Sequence, residues 1–184
     1  MPSPGGKLTV YVSSTVVDLK AHRAALKIAL ERAGYDVECM EKYAAFDEPP
    51  LERCREDVAA ADVYVLLLAH RYGYRPPLGN PLGRSITHLE YEEAGRHSAK
   101  PRLAFTVDVA HPWPPPHIDD GDNKRDLLQF RAAVEERHGV NPFTTPDDLT
   151  SRVLQALRRL DADPLRSEEH TSELQSHSDL VCRL

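Results

Sequence analysis

Val63-Tyr64-Val65-Leu66-Leu67-Leu68-Ala69 is a run of seven apolar residues without alternation. A strand with one wet face alternates apolar and polar side chains. An unbroken run bounded by polar chain reads instead as a parallel strand buried on both faces. Such a strand needs helices above and below it, so helix and strand should alternate on either side. They do. Downstream, residues 87–98 read as a helix, residues 103–107 (LAFTV) as a fourth strand and residues 126–138 as another helix. Residues 141–144 form a brief fifth strand. Pro146 opens a last helix whose apolar stripe is Leu149, Val153, Leu157 and Leu160.

Upstream, residues 8–13 (LTVYVS) are β-branched and aromatic, as strands are. A helix follows, capped by Ser14 or Thr15, with Leu19, Leu26, Leu30 and Ala33 on one face and Gly34 at its end. Residues 36–40 (DVECM) make a weaker strand, expected near an edge. Pro49 and Pro50 open a short helix through Ala60. Strand–helix alternation implies right-handed crossovers and a parallel sheet. The expected class is α/β, a flavodoxin-like three-layer sandwich of about five parallel strands in the order 2-1-3-4-5.

The chain has 184 residues, 41% of them hydrophobic and 28% charged, which suits one globular domain and excludes a wholly disordered chain. With 23 basic against 29 acidic residues the net charge is −6, so neither nucleic acid nor an anionic membrane is an expected partner. Seven apolar residues are too few to span a bilayer. Residues 1–6 (MPSPGG) lack the apolar core of a signal peptide. Three cysteines at unrelated spacings make neither a disulfide framework nor a zinc pattern. A cytoplasmic protein without metal or cofactor is expected, with Cys39 and Cys54 as small buried hydrophobes. Residues 166–184 (RSEEHTSELQSHSDLVCRL) resemble the in-frame translation of a sequencing adapter. The expected organisation is a flexible start over residues 1–7, a domain over 8–162 and a disordered tail over 163–184, of which 166–184 is adapter read into protein. The gene is then expected to continue past that break.

In this architecture ligands bind beyond the carboxyl ends of the strands, at the point where strand order reverses. The residues expected there are Ser13, Ser14 and Thr15 after strand one, Glu41 after strand two, His70, Arg71 and Tyr72 after strand three and Asp108 after strand four. Ser13 and Ser14 offer hydroxyls and amides at a strand-to-helix turn, where anions are welcome. Thr15 and Asp18 equally have the spacing of a capping box. Arg71 can fork onto a phosphate and Tyr72 can stack on a base, or both can belong to a surface turn. Ser85-Ile86-Thr87-His88-Leu89-Glu90-Tyr91 opens a helix. Glu90 is either the far half of a capping box with Thr87 or an ionised carboxylate in the first turn, facing the crevice. An ionised carboxylate there suits stabilisation of, or attack on, a ribosyl cation. Glu92 and Glu93 read as solvated or ion-paired. The loop of residues 70–86 is long enough to be functional. The Pro112-Trp113-Pro114-Pro115-Pro116 stretch reads as a rigid loop. No Gly-x-Gly-x-x-Gly or Walker signature is present, so dinucleotide binding in the Rossmann manner and P-loop hydrolysis are not indicated.

Together these segments resemble a bacterial family called domain of unknown function 4062. The resemblance rests on Val10-Tyr11-Val12-Ser13-Ser14-Thr15-Val16-Val17-Asp18-Leu19, on Ala21-His22-Arg23, on Met40-Glu41, on Ala61-Asp62-Val63-Tyr64-Val65 with Arg71-Tyr72-Gly73, and on Ser85-Ile86-Thr87 with Glu90-Tyr91. His22 stands where that family usually has glutamate. The resemblance implies a TIR-like N-terminal signalling or effector module of a larger prokaryotic signalling or anti-phage defence protein. Its partners would be further copies of itself or fused downstream NTPase or repeat domains. The alternative it implies is an N-glycosidic enzyme cleaving NAD or a related nucleotide. In that alternative Glu90 is catalytic, and Ser13, Ser14, Glu41, Arg71, Tyr72 and Ser85 bind the ligand. The Trp-Cys pair that often precedes the TIR glutamate is missing.

Overall fold

The computed structural model describes residues 7–39, 51–97 and 99–162. Its elements run β1 (Thr9–Ser13), α1 (Lys20–Arg32), β2 (Asp36–Cys39), α2 (Leu51–Ala60), β3 (Val63–Leu68), α3 (Ile86–Arg96), β4 (Arg102–Val107), α4 (Gly121–Arg137), β5 (Asn141–Phe143) and α5 (Pro146–Asp161). A short 3-10 turn, Pro115–His117, sits in the proline-rich loop. Every strand pair is parallel, and the order is β2-β1-β3-β4-β5. The fold is therefore α/β with the flavodoxin-like order. The described residues divide into two units, those up to Thr150 and those from Ser151 on. The sheet and the cleft described below belong to the first.

β3 lies between β1 and β4, and all six of its residues are buried, as its unbroken apolarity requires. Alternate residues of a strand face opposite sides. Tyr11, Tyr64, Leu66, Leu68 and Ala104 turn to one face, where they pack with Val58 of α2, Tyr91 and Ala94 of α3, and Leu127, Phe130 and Val134 of α4. Right-handed crossovers put α1 on the other face. Leu19, Leu26 and Leu30 are wholly buried there. β2 is an edge strand, and so is β5, whose middle residue is Pro142.

Several expected boundaries move. Ser14 and Thr15 do not cap α1: the helix begins at Lys20, after Leu19, with no side-chain cap. The Thr15 hydroxyl donates to Asp18 instead, at 2.5 Å, so the two polar groups satisfy each other and an irregular turn precedes the helix. Ala33, expected on the buried face, is exposed at the helix end. Gly34 does take the left-handed conformation that ends helices, at φ +96°. The cap of α3 is Ser85, whose hydroxyl accepts from the His88 N–H, so Thr87 is not the cap. α4 starts at Gly121 rather than at residue 126. Met40, Glu41, Pro49, Pro50, residues 1–6 and the tail from residue 163 lie outside the described residues. Among the described residues no helix is long and apolar enough to cross a membrane.

Candidate functional site

The order of strands reverses between β1 and β3, and the last residue of β1 is Ser13. Ser13 and Tyr11 are two positions apart, so both side chains leave the same face of β1. α3 crosses that face, and Glu90 points down from it into the sheet. The Ser13 hydroxyl donates to one Glu90 carboxyl oxygen at 2.5 Å, and the Tyr11 hydroxyl donates to the other at 2.6 Å. Glu90 is 1% exposed. The Tyr64 ring stacks parallel to Tyr11 with centroids 6.1 Å apart.

Burial dominates the electrostatics of this cluster. It pushes the Glu90 pKa up to about 7, although the Ser13 and Tyr11 hydrogen bonds and the Arg23 guanidinium all favour the ionised form. Burial and then the Glu90 charge raise Tyr11 well above the usual phenol range, and the same two causes raise Tyr64. Cys54 is pushed up to about 12, by burial first and by Glu90 second. The expectation for Glu90 is corrected on two points. It is the fifth residue of α3, not a first-turn residue, and burial outweighs any help to its charge from the helix N-terminus. A carboxyl with this pKa exchanges its proton near neutrality, which is the range a general acid or base needs.

Ser14 is buried beside this cluster. Its hydroxyl accepts from Arg23 of α1 at 2.6 Å. Ser85 is buried as well, as the cap of α3. Gly73, at φ +98°, brings the Arg71-Tyr72-Gly73 turn against Thr15 and Ser85. A Cβ there would stand 3.0 Å from the Thr15 methyl and 3.7 Å from the Ser85 Cβ. Arg71 itself pairs with Asp119, Nε to Oδ1 at 3.5 Å. The Tyr72 N–H donates to the other Asp119 oxygen at 2.8 Å. The Tyr72 hydroxyl meets His88 Nδ1 at 2.9 Å, and the Arg75 guanidinium lies over its ring at 4.6 Å. The structure thus joins Ser13 to Glu90, ties Ser14 to Arg23 and packs the turn at Gly73 against Thr15 and Ser85. It turns Arg71 and Tyr72 toward Asp119, His88 and Arg75. Glu41 lies outside the described residues. Glu92 and Glu93 are ion-paired, with Arg84 and with Arg96.

Three partners went unread in the sequence: Tyr11, Arg23 and Asp119. Tyr11 carried a signal in its same-face spacing with Ser13. Arg23 carried one in its place beside His22 in the family string. Asp119 carried none. Among the described residues no group of three or more His, Cys, Asp or Glu is placed to hold a metal ion.

A cleft of about 700 Å³ opens elsewhere on the first unit. Val17, Asp18, His22, Trp113, His117 and Thr144 are among its lining residues, and none of Ser13, Ser14, Arg71, Tyr72, Ser85 or Glu90 lines it. A family model described as Domain of unknown function (DUF4062) matches residues 9–158. No curated protein matches the chain.

Proposed function

This chain belongs to the DUF4062 family, and on that footing we propose that it is a TIR-like signalling or effector module of a larger prokaryotic signalling or defence protein, working by protein interaction or self-association. One observation carries this reading. Glu90, the residue that nucleotide cleavage would need, is enclosed, and each of its oxygens already accepts a hydroxyl hydrogen. That arrangement fastens α3 to β1 and leaves the carboxyl no free face. The long loop after β3, in contrast, exposes Tyr74, Leu78 and Leu82. Exposed apolar side chains on a loop held by a rigid sheet suit recognition of another protein. Light scattering over rising concentration tests this. The expected result is reversible assembly that the double substitution Leu78→Asp, Leu82→Asp weakens. A chain that stays monomeric throughout would remove self-association from the reading.

A second reading is N-glycosidic cleavage of NAD or a related nucleotide. It is favoured by a carboxyl whose pKa is lifted to about 7 and which touches Ser13 where the strand order reverses. Ser13 and Ser14 would hold ribose or phosphate oxygens, and Glu90 would stabilise the ribosyl cation as nicotinamide leaves. Arg71 and Tyr72 join only if they leave Asp119 and His88. Nicotinamide release from NAD, compared between the parent chain and Glu90→Gln, decides this reading: loss in the variant supports it, and equal release rejects Glu90 as the catalyst.

A further inference from the structure

Trp113 is the centre of a cluster that the Glu90 network does not use. Its ring lies 5.5 Å from His22, 5.6 Å from His70 and 6.5 Å from His111. Its flanking prolines, Pro112 and Pro114, are exposed. Around it are buried polar atoms that have no hydrogen-bond partner: Asp18 Oδ2, His22 Nδ1, His70 Nε2 and the indole Nε1 of Trp113 itself. Asp18 and His22 are 7% and 8% exposed, and both line the cleft described above. Buried polar atoms in native folds are almost always satisfied, so three orphans on residues of one cleft, Asp18, His22 and Trp113, call for an explanation.

Their chemistry restricts what would satisfy them. Asp18 Oδ1 accepts from Thr15, which leaves Oδ2 as a bare acceptor. His22 Nε2 faces the Thr144 carbonyl at 3.4 Å. A carbonyl only accepts, so Nε2 carries the hydrogen and Nδ1 is a lone pair. Burial keeps this ring neutral. Three residues that line the cleft therefore hold two unfilled acceptors and one unfilled indole N–H, all buried at its wall. Their complement is a group with two N–H donors beside an acceptor nitrogen. Pro112, Pro114 and Ala21 give the cleft apolar walls, which suit a planar ring. Lys20 also lines the cleft and argues against a cation such as guanidinium.

We propose that this cleft binds a neutral planar heterocycle carrying an amino group, of the aminopurine or aminopyrimidine class. The ring packs against Pro112 and Pro114 and meets the edge of Trp113, which shifts outward on its exposed loop to admit it. Asp18 and His22 accept the amino hydrogens, and the indole N–H donates to the neighbouring ring nitrogen. The proposal stands apart from both readings of Glu90, because no residue of that network lines the cleft.

The chain has one tryptophan, so its emission reports on this site alone. Adenine and cytosine titrated into the full chain are expected to change Trp113 emission saturably. Hypoxanthine, which has a carbonyl in place of the adenine amino group, should bind about tenfold more weakly or worse. His22→Phe keeps the ring packing and removes Nδ1, and Asp18→Leu keeps the side-chain size and removes both acceptor oxygens. Each should weaken adenine about tenfold while far-UV circular dichroism stays native. If Asp18→Leu does not fold, His22→Phe decides. No saturable change with adenine or cytosine, equal affinity for hypoxanthine, or a His22→Phe chain that binds like the parent would each overturn the proposal.

Discussion

Glu90 keeps its proton up to about pH 7 in the folded chain, whereas an unfolded glutamate loses it near 4.5. Between those values the folded state binds more protons, so this group's contribution to stability falls as pH rises and is lost by about pH 7. Over the whole window the loss is on the order of 3 kcal/mol. His22, His70, His88 and His138 are pushed the other way by burial, His88 to about 4, and they add stability as pH rises. The Glu90 contribution is therefore read as a difference. Urea midpoints of the parent chain and Glu90→Gln should converge, or cross in favour of glutamine, between pH 5 and about pH 8. A gap that does not change with pH would mean that Glu90 titrates normally. Gly73 makes a second residue-scale case. At φ +98°, with Thr15 where a Cβ would press, Gly73→Ala should cost roughly 1–2 kcal/mol in the same assay.

At the scale of elements, two helix ends are held from outside the helix. The Ser85 hydroxyl caps α3, and Ser85→Ala should cost about 1 kcal/mol of unfolding free energy, measured by denaturant titration. Lys100 donates its ammonium hydrogens to the carbonyls of Val58, Ala59 and Ala61, where α2 ends. Lys100→Met keeps the stem and removes those bonds, so amides near the end of α2 should exchange faster with deuterium while those of β3 keep their protection. Unchanged exchange would deny the lysine that role. The elements were legible in the sequence wherever a long apolar pattern set them, as in β3 and in the buried face of α1. Their starts were less legible. Thr15 and Asp18 have the spacing of a cap, but they bond to each other, and no residue-by-residue preference distinguishes those outcomes.

Across the whole domain, β3 joins the two halves of the sheet and touches both faces of the core. Leu66→Ala should cost roughly 2–5 kcal/mol and lower one cooperative transition, read together by circular dichroism and Trp113 emission. The order of strands was legible because crossover rules leave few choices. The site was legible only in outline. Those rules bring Ser13 and Glu90 to one rim, 77 positions apart in sequence. They do not say that Glu90 points inward to Tyr11, or that Asp119 claims Arg71. Those outcomes depend on side-chain packing over long separations.

β5 has one more consequence. The Phe143 carbonyl accepts from the Asp108 N–H, so Phe143 faces β4 and its neighbour Pro142 turns its backbone outward. Proline has no amide hydrogen, so the outward backbone of this three-residue strand offers a carbonyl and no donor. A foreign strand arriving at that margin finds too little to zip onto. The margin thus resists fibre growth, and copies of the domain that gather must meet through side chains rather than by lengthening one common sheet from β5.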